Sequence, residues 1–295
     1  MNRRRFLTGA GLAVAAMGLP GLAAGQERMR LAAIDWAMLE TAMAIGHMPV
    51  AGAELIQFRQ EMPADLLPGD MVDLGLRGAP NFELLQLVQP DLILSSPFYT
   101  RHEGRLGEIA PVLSLPFFIP GEPPLPKALN ALELLADAVG DAPAGRQARR
   151  QAEKALAQSA AALAGIRHPI CLVEIGDARH LRAFGFDSLF GSTLARLGIE
   201  SAWQGQTEFS FLAPVPLERL ADLPEAALVI IGPVPPEARH ALSRSVLWRH
   251  LPSVAAGRVY QLPGLNPYGG TVSAGLFASA LQKALLRRGP VATLV

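Results

Sequence analysis

Short apolar runs alternate with segments of helical spacing along most of the chain. The clearest runs are residues 30–34, 91–94, 169–175 and 227–231, each with the length and composition of a buried strand. Between them, Asn81 is a typical N-cap for a helix over residues 82–88. Residues 54–71 show no clean period and contain Pro63 and Pro68, so they are predicted to form a loop. Apolar strands joined by helices predict an α/β fold with mostly parallel sheets.

The longest helical pattern is DAPAGRQARRQAEKALAQSAAALAG, residues 141–165, with no Pro or Gly between Arg146 and Leu163. Asp141 can cap its start and Pro143 fits its first turn. At about 1.5 Å per residue the helix is roughly 35 Å long, which is about the width of a small domain. It is either a rigid backbone joining two lobes or an ordinary surface helix within one domain.

An internal similarity favours two lobes. Residues 83–95 and residues 218–232 each open with a glutamate, continue as a short helix and pass through a proline into a hydrophobic strand. A repeated supersecondary unit on either side of the long helix predicts lobes at residues 26–140 and 167–295, joined by a backbone helix at residues 141–166. Glu83 and Glu218 are then expected at equivalent places on the two lobes.

The N-terminal residues predict export. NRRRFLT, residues 2–8, is a twin-arginine motif, and an apolar run and the small residues Ala23, Ala24 and Gly25 follow it. Residues 1–25 are therefore interpreted as a signal peptide for the twin-arginine pathway to the periplasm; the alternative is a basic arm on a cytosolic protein. No cysteine lies at the expected cleavage site, which argues against a lipoprotein anchor. The single cysteine, Cys171, has no intrachain partner and is expected in a buried strand.

Charge and motifs exclude several function classes. Lys and Arg number 26, as do Asp and Glu, so nothing favours nucleic acid or a membrane surface as partner. The sequence has no G-x-S-x-G, no H-E-x-x-H and no metal-spaced cysteines, and its six histidines are scattered. The glycine-rich residues 269–275 open a helix but lack the lysine of a phosphate-binding loop. The chain is therefore predicted not to be an enzyme, and an exported two-lobed α/β enzyme is the less favoured alternative.

Polar and aromatic residues gather where strands and helices end. In open α/β sheets ligands bind beyond the carboxyl ends of the strands, so these residues are candidates for a cleft between the lobes. They are Trp36, Arg77, Phe98 and Tyr99 in the first lobe and Trp203, Phe211 and Tyr268 in the second. Each also has a structural interpretation: the tryptophans as core edges, Arg77 as a brace for its turn, and Tyr268 as a cap for the last helix.

Five segments resemble a known family. DLGLRGAPNFELL, PDLIL, DARHLRAFGFDSLF, LGIESAWQGQTEF and LWRHLPSVAAGRVYQLP are similar, in this order, to periplasmic ferric-hydroxamate (ferrichrome) siderophore-binding proteins. These belong to the helical-backbone class, class III, of substrate-binding proteins that serve ATP-driven (ABC) importers. The resemblance covers about residues 30–288. It implies a monomer that captures an Fe(III)-hydroxamate siderophore and delivers it to an inner-membrane permease, with no cofactor because the siderophore supplies the iron ligands.

The resemblance also implies residue roles. Arg77 matches an arginine that reaches the iron-bound hydroxamate oxygens, and its permanent charge and several donors suit that role. A tyrosine with the same target falls at Phe98 or Tyr99, and Tyr99 is preferred because it keeps the hydroxyl. Trp36 and Tyr268 match aromatic residues that flank the ligand. The surface acids that dock on the permease, one per lobe, are matched by Glu83 and Glu218.

Departures from the family pattern bear on the ligand. Glu61, Ser210 and Asn266 stand where the family has tryptophans, and Glu208 replaces a neutral amide. The cleft is thus expected to be less aromatic and more acidic, which suggests a cationic or linear ferric hydroxamate such as a ferrioxamine. The alternatives are a catecholate siderophore, haem or a corrinoid. A trianionic catecholate requires several cations, and only Arg77 is placed in the cleft.

Overall fold

A computed structural model describes residues 28–63, 66–205, 207 and 212–288 of the 295 residues. The first lobe has a parallel sheet of five strands in its described residues, in the order β3-β2-β1-β4-β5. Its strands are β1 Leu31–Ala33, β2 Ala51–Gly52, β3 Val72–Asp73, β4 Leu92–Ser95 and β5 Val112–Ser114. Its helices are α1 Trp36–Ala44, α2 Leu55–Glu61, α3 Phe82–Val88 and α4 Thr100–Gly107, with a 3-10 helix Pro97–Tyr99 before α4.

The second lobe repeats this arrangement with one reversed strand. Within the described residues its five-stranded sheet has the order β10-β9-β6-β7-β8, in which β7 is antiparallel to both neighbours. The strands are β6 Ile170–Ile175, β7 His180–Ala183, β8 Leu212–Pro216, β9 Ala227–Ile231 and β10 Val259–Leu262. The helices are α7 Leu189–Arg196, α8 Pro236–Arg244, α9 Val246–His250 and α10 Pro252–Ala255, with a 3-10 helix Leu217–Asp222 after β8.

Each sheet is buried on both faces, as the uninterrupted apolar runs predict. In β9, Ala227, Val229 and Ile231 join one hydrophobic cluster, and the alternate residues Leu228 and Ile230 join another on the opposite face. The same alternation divides β1, because side chains along a strand point in turn to opposite faces. Helices therefore cover both sides of both sheets, and the α/β class is confirmed.

Three helices lie where the lobes meet. They are α5 Pro124–Ala138, α6 Ala142–Leu163 and α11 Thr271–Lys283, the last continued by a π-helical segment Ala284–Arg288. Asp141 caps α6 and accepts a hydrogen bond of 3.3 Å from the backbone N–H of Ala144. Ala148 of α6 packs in the core of the first lobe, whereas Leu156 and Leu163 pack in that of the second. The long helix is therefore the predicted backbone between two lobes, not a surface helix of a single domain.

The internal similarity corresponds to a repeated topology. In the first lobe, edge strand β3 leads through α3 to β4, which lies beside the central strand β1. In the second, edge strand β8 leads through the 3-10 helix Leu217–Asp222 to β9, which lies beside the central strand β6. Glu83 and Glu218 both lie in the first turn of these crossover helices. The two glutamates thus have equivalent positions, as predicted.

Several local predictions were wrong. The predicted loop at residues 54–71 contains α2, whose Leu55 and Phe58 fill the first-lobe core. The prediction missed it because the helix has only seven residues and no side-chain N-cap bond. Helix α4 and strand β8 were not predicted either. No helix in the described part of the chain is long and apolar enough to cross a membrane.

Candidate ligand-binding cleft

A cavity of about 600 Å³ lies between the lobes. Its first-lobe wall comes from the segments that follow all five strands of that sheet: Asp35, Glu54, Arg77, residues 96–99 and residues 116–119. Its second-lobe wall includes Tyr268, beyond β10, and Leu212 and Ala213 at the start of β8. The cavity therefore occupies the position where open α/β sheets bind ligands.

Arg77 is the cation among the described residues of this cavity, and Glu54 holds it in place. Its Nε donates a hydrogen bond of 2.7 Å to Oε2 of Glu54, and its backbone N–H donates one of 3.2 Å to Oε1. Glu54 is one of the non-glycine residues with positive φ, at 53°. Its backbone N–H donates to the carbonyl of Gly75, two residues before Arg77. This left-handed conformation is unusual for glutamate and aims the carboxylate at Arg77.

Trp36 lies beneath Arg77. The guanidinium carbon of Arg77 is 3.7 Å from the centre of the Trp36 ring, and the indole Nε1 donates a hydrogen bond of 2.9 Å to the carbonyl of Ala53. Trp36 is only 2% exposed and packs edge-on against Phe58. The structure thus places Trp36 behind the arginine and not on the cavity wall, where it was expected to flank the ligand. The face of the Trp36 ring supports the guanidinium of Arg77 through a cation–π interaction.

Tyr99 and Phe98 both line the cavity but differ in exposure. Tyr99 is 4% exposed and Phe98 is 70% exposed, and their rings are 5.3 Å apart in an edge-to-face arrangement. Burial raises the pKa of Tyr99, and the nearby carboxylate of Asp35 raises it further, while Arg77 opposes the shift. Its hydroxyl therefore stays protonated at neutral pH and is available as a donor beside Arg77.

Asp35 was not predicted as a site residue. It caps α1 by accepting a hydrogen bond of 3.0 Å from the backbone N–H of Met38, and its other oxygen accepts one of 2.9 Å from the hydroxyl of Ser96. Burial raises the pKa of Asp35 above its ordinary value. The position of Asp35 just after β1 could have identified it as a site residue, because the segment that follows each strand of this sheet lines the cavity.

Tyr268 forms the opposite wall. Its ring centre lies 5.9 Å from the guanidinium carbon of Arg77, and it packs edge-on against Phe118, which also lines the cavity. Its backbone N–H donates a hydrogen bond of 2.9 Å to the side chain of Asn266. Asn266 is itself completely buried, so it is not a cleft residue as the resemblance implied, but one that fixes the loop carrying Tyr268.

The remaining predicted residues lie elsewhere. Trp203 is 7% exposed and packs in a second-lobe core cluster, away from the residues that line the cavity. Glu208 and Phe211, together with Ser210, lie outside the described residues. Glu83 and Glu218 are exposed on the surface, one on each lobe.

No cluster of three or more His, Cys, Asp or Glu side chains with metal-binding geometry occurs among the described residues. What the cavity offers is a fixed guanidinium, a protonated phenol and aromatic walls, which suit a polar, partly anionic molecule of moderate size. Two α/β lobes, a long connecting helix and an inter-lobe cavity together define a two-lobed substrate-binding protein.

Comparison with known proteins identifies the family. Residues 31–264 match the family described as periplasmic binding protein. Over 294 residues the chain is 31% identical to the iron(3+)-hydroxamate-binding protein FhuD of Escherichia coli strain K12, with 97% of each chain covered. The chain therefore belongs to the periplasmic binding protein family.

Solved structures agree on the architecture. The FhuD structure from Vibrio cholerae, bound to Fe3+–Desferal, aligns with a TM-score of 0.81 and 26% identity, covering 89% of this chain and all of that one. The petrobactin-binding protein YclQ of Bacillus subtilis aligns with a TM-score of 0.70 at 16% identity, covering 88% and 92%. The similarity to YclQ shows the fold alone. Both structures confirm that the fold is that of the helical-backbone class of substrate-binding proteins.

Proposed function

We propose that this protein captures Fe(III)-hydroxamate siderophores in the inter-lobe cavity and delivers them to the inner-membrane permease of an ABC importer. The observation that carries the proposal is Arg77, fixed between Glu54 and the Trp36 ring in the wall of a cavity that Tyr99 also lines. The names of the Escherichia coli and Vibrio cholerae relatives support it. The function is binding without catalysis.

The chemistry of the ligand explains the residue types. Hydroxamate oxygens bound to iron carry partial negative charge, and a guanidinium offers several donors without ever losing its own charge. The Tyr99 hydroxyl adds a neutral donor, while Phe98 and Tyr268 cover the apolar scaffold. Because the siderophore supplies the iron ligands, iron is the cargo and the protein needs no metal-ligating side chains and no cofactor.

The charges disfavour the catecholate alternative. Among the lining residues that the structure describes, Arg77 is the one cation, and the carboxyl groups of Asp35 and Glu54 lie beside it. A trianionic catecholate chelate would leave most of its charge uncompensated there, at a cost that a buried site makes large. A neutral or cationic hydroxamate complex avoids this cost.

A fluorescence titration tests the proposal. Trp36 lies directly beneath Arg77, so an iron complex bound to the guanidinium quenches its emission. We expect saturable quenching by ferrichrome and ferrioxamine B and little by an iron catecholate. Arg77→Ala is expected to weaken binding about 10- to 100-fold, because charge-assisted hydrogen bonds are lost.

Arg105→Ala is the matched control, since Arg105 also stacks on an aromatic ring, Phe82, at 3.9 Å, but away from the cavity. Affinities are compared by titration midpoint, because removing Arg77 also changes the baseline emission of Trp36. Saturable binding of the catecholate alone, or equal affinities of the Arg77→Ala variant and the wild type, would reject the proposal.

Delivery to the permease and the export route are further parts of the proposal. Glu83 and Glu218 are exposed at equivalent places on the two lobes and suit contacts with basic residues of a permease. The double variant Glu83→Ala, Glu218→Ala is expected to bind the siderophore normally but to lose uptake in cells. Replacing Arg3, Arg4 and Arg5, the three arginines of the leader motif, by Lys is expected to block export by the twin-arginine pathway. The protein is expected to act as a monomer.

A further inference from the structure

A second cavity, of about 800 Å³, also lies between the lobes. The end of α2 and the residues after it form its first-lobe side, and the ends of β9 and β10 together with α11 form its second-lobe side. Its walls are largely apolar and include Met62, Pro63, Leu262, Leu265 and Leu276. Such walls suit a chain of methylene groups.

Among the described residues that line this second cavity, Glu61 is the acidic one. Its Oε1 accepts a hydrogen bond of 2.8 Å from the side-chain amide of Gln57, whereas its Oε2 is shielded from solvent and has no partner among the described residues. Burial raises the pKa of Glu61, although the hydrogen bond from Gln57 and the charge of Arg77 oppose the shift. A shielded acceptor without a donor is costly, and a rotation of the Glu61 carboxylate towards a donor supplied by a ligand in the cavity would relieve that cost.

The other charges around Glu61 already have partners. Arg77 and Glu54 form an ion pair at 2.7 Å, and Arg182 and Glu174 form one at 3.0 Å. Arg77, Glu54 and Glu174 are all near enough to influence the ionisation of Glu61, and two of them, Arg77 and Glu54, line the first cavity.

The remaining charged group on the wall of the second cavity is Lys283. It is exposed, and no ion pair within 4.0 Å joins it to Glu61 in the described part of the chain. Within the described residues Glu61 therefore forms no ion pair of its own, and the nearby Arg77 is paired with Glu54.

We infer that the second cavity receives a cationic arm of the ligand, with the carboxylate of Glu61 accepting hydrogen bonds from a primary ammonium group. The iron–hydroxamate core lies against Arg77 in the first cavity, the methylene stem runs along the apolar wall, and the ammonium reaches Glu61. This inference rests on the proposed function and narrows it to iron hydroxamates with a pendant amine. It assigns to Glu61 a role in specificity that the first cavity does not supply.

A comparison of two ligands tests it. Ferrioxamine B has a pendant ammonium, and its N-acetyl derivative has the same iron–hydroxamate core without the charge. We expect the wild type to bind ferrioxamine B about tenfold more tightly than the derivative, as for a partly shielded charge-assisted hydrogen bond. Glu61→Gln keeps the shape of the side chain and is expected to reduce this ratio to about one by weakening the binding of ferrioxamine B.

Controls separate the inference from the proposed function. Glu108→Gln removes an exposed negative charge from the end of α4 and is expected to keep the wild-type ratio. Equal wild-type affinities for the two ligands, or a ratio that Glu61→Gln leaves unchanged, would overturn the role of Glu61 while the hydroxamate function stands. Failure of the wild type to bind either ligand would instead reject the proposed function and the inference with it.

Discussion

The hydroxyl of Ser273 donates a hydrogen bond of 2.6 Å to Oε1 of Glu40 across the boundary between the lobes. Glu40 lies on α1 and Ser273 in the first turn of α11, and the carboxylate also accepts hydrogen bonds from the backbone N–H groups of Gly270 and Ser273 and from the amide of Asn266. A buried anion thus occupies the amino end of a helix, where backbone donors lack partners. Because Asn266 also holds the Tyr268 backbone, the same network fixes the cavity wall.

Replacing Glu40 is expected to destabilise the protein strongly. Glu40→Ala leaves four donors without their acceptor inside the junction, and we expect a loss of about 3–5 kcal/mol in the free energy of unfolding. Urea denaturation followed by circular dichroism measures it. Glu108→Ala, at an exposed position, should change that free energy by less than about 0.5 kcal/mol. If Glu40→Ala lowers the free energy of unfolding no more than Glu108→Ala does, the Glu40 network does not stabilise the junction between the lobes.

The ionisation of Glu40 leads to a prediction about how the free energy of unfolding depends on pH. Burial raises the pKa of Glu40 above its ordinary value, although the four donors oppose the shift. The folded protein therefore takes up this proton before the unfolded chain does, so the stability contributed by Glu40 increases as the pH falls through its folded pKa. The unfolding free energy of the wild type minus that of Glu40→Gln should be larger near about pH 5 than near about pH 8. A difference that is constant or shrinks as the pH falls contradicts this assignment.

The junction also predicts that the lobes close little on binding. Helix α6 is embedded in both cores, and the Glu40 network adds a second, polar connection between them. X-ray scattering with and without ferrioxamine B should give radii of gyration that agree to within about 1 Å. A compaction of several ångströms, of the kind produced by hinge closure, would mean that the lobes rotate about a flexible link.

Sequence reasoning succeeded where the signals were local. Helix α3 has an N-cap whose side chain bonds the backbone, Asn81, and α6 has one in Asp141, so both helices and the two-lobe plan could be predicted. The cavity contacts are of a different kind. Glu54 is 23 positions from Arg77, and Glu40 is 226 positions from Asn266, so neither pair has a signature in any local window. Trp36 was misplaced for the same reason, since only the folded structure shows Arg77 covering its ring.

Glu54 is expected to act by positioning Arg77. Glu54→Gln cannot hold the guanidinium with a charged oxygen, so we expect affinity for ferric hydroxamates to fall about tenfold while the free energy of unfolding changes by less than about 1 kcal/mol. Glu122→Gln is a control, because Glu122 forms an ion pair with Lys127 and is not among the residues that line the cavity. Equal losses of affinity in both variants would indicate a general effect of charge, and not the position of Arg77.

Cys171 provides a test of the second-lobe core. It is 1% exposed in β6, the central strand of its sheet, and burial raises the pKa of its thiol to about 12. The thiolate is the reactive form, so at about pH 8 only about one molecule in ten thousand carries it, and reaction with iodoacetamide requires unfolding. We expect no labelling of the native protein over hours at that pH, and complete labelling in concentrated guanidinium chloride. Cys171→Ser, which removes the single cysteine, should give no labelling under either condition. Rapid labelling of the native protein would show that β6 is accessible to solvent, contrary to the two-faced burial of this sheet.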